Sequence, residues 1–359
     1  ANYFGPVRTD KTASPRLDYS YNRILMTYAS GRTMAKTLVM GASGFLGSHV
    51  VRQLAEQGRD LRIMVRESSD TSAIDHLSLE RVIGAIDDAN AVREAMTGCD
   101  SVFYCVVDTR AWLRDPAPLY YTNVDCLRVV LDVALDVGVG HFVFTSTYGT
   151  VGINPSGIST EDDAFNWWDK APAYVRCRVQ AEQLFLQYCN EKGLPGVACC
   201  VGNTYGANDI VPTPHGKMVK DAATGKMPFY WDGGGPCVGI EDAARGLLLA
   251  EQYGRRGERY IIAERWMDYE EMFRLSAWEA GRPPPARKMP MWLLYIMAGI
   301  ADVVSFVRRR DNRFSIASVR CSTLLPNVDS AKARRDLGWQ PAPIEQSLAA
   351  AVEYYLAQP

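Results

Sequence analysis

Groupings of metal-ligating residues are missing from this sequence. The four histidines lie far apart, and the nine cysteines are scattered without a C-x-x-C pair. Structural zinc sites and dithiol redox centres depend on close groupings of these residues, so the spacing predicts no metal site. We expect the cysteines to be reduced and mostly buried, as is usual in a cytoplasmic protein.

An excess of charge of one sign is also missing. The chain has 39 Lys and Arg against 41 Asp and Glu, which gives a formal net charge of −2 over 359 residues. Domains that bind nucleic acids usually present a strongly basic surface, so this balance argues against a nucleic-acid partner. A small-molecule partner is expected instead.

Long apolar runs are absent as well. Residues 1–33 contain no hydrophobic core of a secretory signal, and we interpret 1–34 as an N-terminal extension, either packed on the surface or poorly ordered. Residues 289–310 are apolar but are interrupted by Asp302 and end in three arginines. They predict a buried helix, a lid over an apolar pocket, or an interfacial helix with a basic end. Contact with a membrane surface is the least favoured of the three.

From Lys36 onward, short apolar strands alternate with helical segments. "KTLVM", "LRIMVR" and "HFVFTST" are examples of the strands, and they are apolar almost throughout. Strands of this kind, separated by amphipathic helices, are typical of a parallel sheet covered on both faces. The pattern predicts an α/β, Rossmann-type doubly wound domain at 35–200. A smaller substrate-binding region is predicted at 201–359, with some segments returning to the first domain.

A glycine-rich turn joins the first strand to the first helix. Its sequence is Gly41-Ala42-Ser43-Gly44-Phe45-Leu46-Gly47, in the pattern G-x-x-G-x-x-G. Glycines in this position allow a tight turn, a close approach to a pyrophosphate and close packing of helix on strand. The start of the helix offers free N–H groups to an anion. The turn therefore predicts dinucleotide binding.

The end of the second strand indicates which dinucleotide binds. An acidic residue there holds the ribose 2′-hydroxyl of NAD, whereas an arginine accommodates the 2′-phosphate of NADP. This chain has Arg66 just after the strand, followed by Ser68 and Ser69. We therefore favour NADP(H) over NAD(H); the alternative is that Arg66 is only a solvated charge.

A tyrosine and an arginine stand four residues apart in "PAYVRCRVQAE". This spacing places Tyr174 and Arg178 on one face of a predicted helix. A fixed cation beside a tyrosine can lower the pKa of the phenol and make it a proton donor. The same spacing also fits a surface tyrosine near a solvated arginine, and the pair alone leaves both interpretations open.

Several of these motifs together resemble the extended short-chain dehydrogenase/reductase family, which is of the NAD-dependent epimerase/dehydratase type. The resemblance is nearest to its branch of 3β-hydroxysteroid dehydrogenases and dihydroflavonol 4-reductases, and it covers about Lys36 to Gln358. The segments that carry it are "GASGFLG", "NVDCLRVVLDVA", "VFTSTYGTVG", "YVRCRVQAE" and "SAKARRDLGWQP".

The resemblance implies roles for particular residues. Tyr174 takes the place of the family's acid/base, Arg178 that of the lysine that lowers the tyrosine pKa and holds the nicotinamide ribose, and Thr147 that of the hydroxyl that holds the substrate oxygen. The family's cofactor contacts fall on Tyr174 and Arg178 again and on the residues Gly41, Ser43, Gly44, Phe45, Leu46, Gly47, Arg66, Ile86, Val106 and Thr145. An arginine in the lysine position is a departure from the family pattern.

The resemblance also implies an activity. We expect an NADP(H)-dependent oxidoreductase that interconverts a secondary alcohol and a ketone on a bulky, apolar, steroid-like or polycyclic substrate. One alternative is a nucleotide-sugar epimerase or dehydratase, for which Lys217, Lys220 and Lys226 could hold a diphosphate. Another is a non-catalytic NAD(P)-binding subunit. By analogy with the family, a homodimer is expected through the helices at about 120–137 and 174–192.

Overall fold

In the computed structural model, which describes residues 36–358, strands and helices alternate as the sequence predicts. The N-terminal extension predicted at 1–34 lies outside the described residues. The strands are β1 (Lys36–Met40), β2 (Leu61–Val65), β3 (Glu80–Ile83), β4 (Cys99–Tyr104), β5 (His141–Thr147), β6 (Gly196–Val201), β7 (Asn203–Tyr205), β8 (Phe229–Tyr230), β9 (Gly234–Gly239), β10 (Arg259–Ile262), β11 (Arg265–Asp268) and β12 (Arg287–Lys288).

The helices pack against these strands or against one another. They are α1 (Phe45–Glu56), α2 (Ala89–Met96), α3 (Ala117–Tyr120), α4 (Cys126–Val137), α5 (Ala173–Glu191), α6 (Pro214–Ala223), α7 (Ile240–Tyr253), α8 (Tyr269–Glu279), α9 (Met291–Arg308), α10 (Ile316–Thr323), α11 (Ala331–Asp336) and α12 (Ile344–Leu356). A π-helical turn at Tyr121–Asp125 leads into α4, and a 3-10 turn at Tyr148–Thr150 follows β5.

The main sheet has seven strands in the order β10-β6-β5-β4-β1-β2-β3. All six strand pairings within it are parallel. The predicted Rossmann-type fold class is confirmed. The strand order reverses between β1 and β4, and in such sheets ligands bind at the carboxyl ends of the strands beside this reversal. The glycine turn after β1 lies at that position.

Both faces of the main sheet are buried, which explains why its strands are apolar almost throughout. Leu38 and Met40 pack in one hydrophobic cluster with residues of α4 and α5. Val39 packs in a second cluster with residues of α1 and α7. Successive side chains of a strand point to opposite faces, so β1 contributes to both clusters. The helices that follow the strands therefore cover the sheet from both sides.

The second half of the chain divides its elements between two regions. The strand β10 and the helix α7 join the main sheet and its covering layer. A separate sheet of β11, β9 and β7 packs in a third hydrophobic cluster with α6, α8 and α12. The helices α9 and α10 contact each other next to this cluster.

Helix α9 corrects one expectation from the sequence. The first of the three interpretations of residues 289–310, a buried helix, is wrong, because only 17% of Met291–Arg308 is buried. The buried residues Leu294, Ala298 and Ser305 lie on one face, and α10 packs beside the helix. The side chains of the opposite face are largely exposed. By length and composition alone, α9 is the one described helix that could cross a membrane.

Candidate active site

The glycine turn after β1 has no room for larger residues. Gly41 has a φ of +79°, and a Cβ there would lie 2.8 Å from the backbone carbonyl of Cys105 at the end of β4. A Cβ on Gly47 would lie 2.1 Å from the carbonyl oxygen of Gly41. The first glycine therefore permits the left-handed turn, and the second permits close packing of α1 on that turn.

The first turn of α1 is open to an anion. The helix begins after Gly44, which as its N-cap has no side chain to bind the free N–H groups, and the first turn contains no acidic residue. A cavity of about 110 Å³ lies over this turn. It is lined by Ser43, Gly44, Phe45, Ser48, Asp70, Ala73, Asn208, Asp209, Ile210, Val211 and Thr213. This arrangement fits the pyrophosphate of a dinucleotide.

The remaining predicted residues of the turn and of β2 surround the same cavity or support it. Leu46 is half-buried against the cluster beneath α1. Arg66 is exposed at the end of β2, where its backbone N–H donates to Ser69 Oγ at 3.1 Å. The turn that begins at Arg66 leads to Asp70 in the cavity wall. Arg66 therefore stands just after β2, at the position that distinguishes NADP from NAD in this fold class.

Three further predicted cofactor contacts lie at or just after the carboxyl ends of β3, β4 and β5. Ile86 and Val106 are half-buried and pack against the cluster under the sheet. Thr145 lies near the end of β5, and its hydroxyl donates to Cys105 Sγ at 3.5 Å. Because the carboxyl ends of parallel strands lie at one edge of a sheet, these residues share the edge that bears the glycine turn.

Arg178 is buried, which excludes the interpretation of a solvated surface pair. Its guanidinium donates to the carbonyl oxygen of Thr145 at 2.6 Å and to Asn123 Oδ1 at 3.3 Å. It also lies 5.4 Å from the ring centre of Phe144. Among the described residues, its Nε has no hydrogen-bond partner. A buried guanidinium with an unused donor is suited to bind a further polar group, such as a ribose hydroxyl.

The pKa of Tyr174 differs from the lowered value that a neighbouring cation suggests. Burial raises the pKa of this half-buried phenol to about 12, while the nearby Arg178 acts in the opposite direction. Removal of water disfavours the charged phenolate, and here that effect exceeds the attraction of the guanidinium. Tyr174 is therefore protonated at neutral pH and suited to donate a proton.

Asn123 belongs to the candidate site, although it was absent from the residues chosen on sequence. It is buried in the π-helical turn Tyr121–Asp125. Its Oδ1 accepts from the backbone N–H of Asp108 at 3.0 Å as well as from Arg178, and its Nδ2 donates to the Asp108 carbonyl at 3.0 Å. The signal available in the sequence was the position of Asn123 at the start of "NVDCLRVVLDVA", one of the segments that carry the family resemblance.

Thr147 is the last residue of β5 and has a hydroxyl proton to donate. Its Oγ1 accepts from the backbone N–H of Gly149 at 3.3 Å, which leaves the O–H free to donate to another oxygen. The preceding Ser146 donates to Glu182 in the buried layer beneath α5. Alternation along the strand directs Thr145 and Thr147 away from Ser146.

The wall beside Tyr174 is apolar. Tyr174 packs in a cluster with Phe165, Trp167, Ala171, Val175, Val179, Cys321, Leu324 and Leu325. The last three belong to α10 and the residues after it, so this helix forms one side of the site.

Two of the lysines suggested for a diphosphate are engaged elsewhere. Lys217 forms an ion pair with Asp221 at 2.6 Å. Lys220 lies 5.8 Å from the ring centre of Tyr355. These contacts do not favour the nucleotide-sugar hypothesis.

Histidine and cysteine form no metal centre in the part of the chain that the structure describes. No group of three or more His, Cys, Asp and Glu residues there could hold a metal ion. All nine cysteines lie within residues 36–358 and are free thiols, seven of them buried.

The fold and the site define a class of enzyme that holds a dinucleotide at the carboxyl edge of a parallel sheet and acts as an oxidoreductase of the epimerase/dehydratase type. A model of the NAD dependent epimerase/dehydratase family matches residues 37–263, and the chain belongs to this family. Members of the family bind NAD(P).

Several individual proteins are similar to this chain over most of its length. It is 30% identical to "Sterol demethylase protein B" of Methylococcus capsulatus, over 89% of this chain and 98% of that protein. It is 28% identical to 4-hydroxy-2-methyl-3-oxo-4-farnesyl-3,4-dihydroquinoline-1-oxide ketoreductase of Stigmatella aurantiaca, over 64% of this chain and 68% of that protein. The crystal structure of gox2253 is 31% identical, with a TM-score of 0.79, and covers 90% of this chain and 98% of its own.

Proposed function

We propose that this protein is an NADP(H)-dependent oxidoreductase that interconverts a secondary alcohol and a ketone on a bulky apolar substrate. The observation that carries the proposal is the buried Arg178, held against Thr145 and Asn123 one helical turn after Tyr174. A buried cation beside a tyrosine in a nucleotide-binding fold is suited to proton transfer to a carbonyl oxygen. When bound, the cofactor supplies or accepts the hydride.

Tyr174, Thr147 and Arg178 have different roles at the substrate oxygen. Tyr174, protonated at neutral pH because its pKa is about 12, donates the proton to the oxygen as a ketone is reduced. Thr147 offers its free O–H to the same oxygen and orients it. The charge of Arg178 stabilises the phenolate left on Tyr174. Its unpartnered Nε would be available to hold a ribose hydroxyl of the cofactor.

The apolar wall supports the substrate class. Phe165, Leu324 and Leu325 beside Tyr174 offer hydrophobic contacts and few polar groups. Burial of apolar surface contributes about 25 cal/mol per Å², so such a wall favours large hydrophobic ligands over sugars. The names of two similar proteins, one related to sterols and one a ketoreductase of a farnesylated ring system, support the same class.

A panel of ketones tests the proposed reaction directly. The oxidation of NADPH is followed by its absorbance with steroid ketones, other polycyclic ketones and nucleotide sugars. We expect turnover with members of the first two groups. Turnover with nucleotide sugars alone would favour the epimerase or dehydratase hypothesis. Binding of NADPH without any turnover would favour a non-catalytic subunit.

The choice of cofactor is expected to depend on Arg66. Loss of a charged hydrogen bond costs about 1.5–3 kcal/mol, so Arg66→Ala should weaken NADPH binding roughly 10- to 150-fold and hardly change NADH binding. Titration of nucleotide fluorescence measures both affinities. Arg93→Ala is the control, because Arg93 is an exposed arginine on α2 that pairs with Asp136.

Two outcomes would show that the end of β2 was misinterpreted. One is equal weakening of NADPH and NADH by Arg66→Ala. The other is tighter binding of NADH than NADPH by the unmutated protein. Either outcome would leave the assignment of the fold and of the reaction intact, and the second would move the cofactor to NAD(H).

A further inference from the structure

Helix α9 presents a continuous apolar face to solvent. Trp292, Ile296, Ile300, Val303 and Val307 recur every three or four residues and therefore lie on one side of the helix. Their exposed fractions are 65%, 51%, 60%, 63% and 75%. Soluble monomers rarely expose contiguous apolar patches of this kind, and such patches mark surfaces that bind a partner.

The other side of α9 holds the helix to the protein. Leu294 and Ala298 pack in a cluster with Met289, Val319 of α10 and their apolar neighbours. Asp302 accepts from the backbone N–H of Ile316 at 3.1 Å. The helix is therefore fixed along its length on α10, with its apolar face turned outward. This attachment fits a helix that lies on a membrane surface rather than one that crosses it.

Positive charge is concentrated at the end of the exposed face. Arg308, Arg309, Arg310 and Arg313 follow the last apolar residues of α9, with Asp311 as the acidic residue among them. The Asp311 carboxylate accepts from the backbone N–H of Arg114 at 3.2 Å.

Two arginines of this region place their guanidinium groups over aromatic rings. The guanidinium of Arg114 lies 5.2 Å from the ring centre of Phe306, and that of Arg313 lies 5.3 Å from that of Trp112. The chain as a whole has a net charge of −2, so the basic cluster is a local feature. An apolar face with a basic margin matches the acyl chains and the anionic headgroups of a bilayer.

We propose that α9 docks this protein on an anionic lipid surface. A second copy of the chain fits the surface less well. In an isologous contact, the arginines at the end of α9 would face either each other or the start of the same helix, where Arg287 and Lys288 stand. In the first arrangement the arginines repel one another, and in the second the nearby carboxylate of Asp232 is already paired with Lys288 at 2.6 Å. The homodimer predicted from the sequence uses α4 and α5 instead, so it leaves α9 free.

Docking on a lipid surface bears on the reaction as well. The helix α10, on which α9 rests, carries Cys321 into the apolar cluster beside Tyr174. A docked protein would hold this side of the site close to the bilayer, where bulky apolar substrates dissolve. This consequence rests on the proposed function, whereas docking itself is measured without any turnover.

Co-sedimentation with vesicles tests the docking. The full chain is mixed with phosphatidylcholine vesicles that contain or lack phosphatidylglycerol. We expect sedimentation mainly with the anionic vesicles, weakened by high salt because salt screens exposed charges. The double variant Ile300→Asp, Val307→Asp should reduce the bound fraction about tenfold or more. Trp278→Asp is the control, because Trp278 is a 78% exposed side chain on α8, and it should bind vesicles normally.

A second variant tests the basic residues separately from the apolar face. It also gives a result if the aspartate variant misfolds. Arg308→Glu, Arg310→Glu changes only exposed residues, and it should abolish the preference for phosphatidylglycerol. Thermal melting and NADPH binding establish that each variant is folded. If the aspartate variant does not fold, the arginine variant decides the outcome.

Three results would overturn the proposal. The first is no sedimentation of the unmutated protein with anionic vesicles. The second is equal sedimentation of the unmutated protein and both α9 variants. The third is a stable dimer in sedimentation velocity that Ile300→Asp, Val307→Asp dissociates, since a second copy would then cover the face.

Discussion

Replacement of Tyr174 with phenylalanine should lower the turnover of a ketone substrate by about 10²–10⁴-fold, the usual contribution of a positioned proton donor. The change removes one oxygen atom from a side chain that packs among apolar residues. NADPH affinity and the melting temperature should therefore change little. Steady-state kinetics, fluorescence titration and thermal melting measure the three quantities.

The matched control is Tyr188→Phe. Tyr188 lies on the same helix and donates to Asp132 at 2.6 Å, away from the candidate site. This variant is expected to lose some stability and to keep its turnover. Equal turnover of Tyr174→Phe and the unmutated protein would show that Tyr174 is not the acid.

The pH dependence follows from the direction of the Tyr174 shift. A phenol whose pKa is raised to about 12 stays protonated throughout the neutral range. Ketone reduction should therefore show no loss from tyrosine ionisation between about pH 6 and pH 9. The reverse reaction needs the phenolate as base, so alcohol oxidation should become faster as the pH rises over that range.

Replacement of Arg178 with methionine should affect turnover, cofactor affinity and stability together. Methionine removes the charge beside Tyr174 and the donors to Thr145 and Asn123. Turnover should fall by about 10- to 100-fold, since the phenolate then lacks its cation. The unpaired carbonyl and amide oxygens should cost about 1–3 kcal/mol of unfolding free energy.

Arg178→Lys is the variant to compare with Arg178→Met, because it keeps a positive charge at this position. Lysine restores a compact cation of the kind that the family uses, so turnover should be retained or increased, whereas Arg178→Met should be impaired. An inert parent that becomes active only with lysine would show that the arginine silences the reaction. Normal NADPH binding and the same trace activity in both variants and the parent would show that Tyr174 and Arg178 are not a catalytic pair.

The sequence by itself determined the fold class and the nucleotide-binding edge of the sheet. Those properties depend on short-range patterns, namely apolar strands between amphipathic helices and glycines at fixed spacing. Gly47 illustrates the reason, because a Cβ there would lie 2.1 Å from the carbonyl oxygen of Gly41 in the same turn. Such contacts recur wherever a strand, a glycine turn and a helix follow one another in this way, so the glycine spacing predicts them directly.

The tertiary structure alone decided how the residues of the site act on one another. Spacing placed Tyr174 and Arg178 on one helical face, but it did not show that Arg178 is buried or that Asn123 and the Thr145 carbonyl bind it. It also did not show that burial raises the pKa of Tyr174. Desolvation depends on all the side chains that surround a group, and those around Tyr174 come from segments as distant as Leu325.

The difference between what the sequence determines and what the tertiary structure determines is clearest for α9. Its sequence established an apolar helix with a basic end, because composition and periodicity are local properties. Whether the apolar residues are buried depends on how much neighbouring surface the fold supplies. Here α10 covers one face only, and Trp292, Ile300 and Val307 remain exposed. The sequence therefore determined what kind of helix forms, and the tertiary structure determined that its apolar face is turned outward.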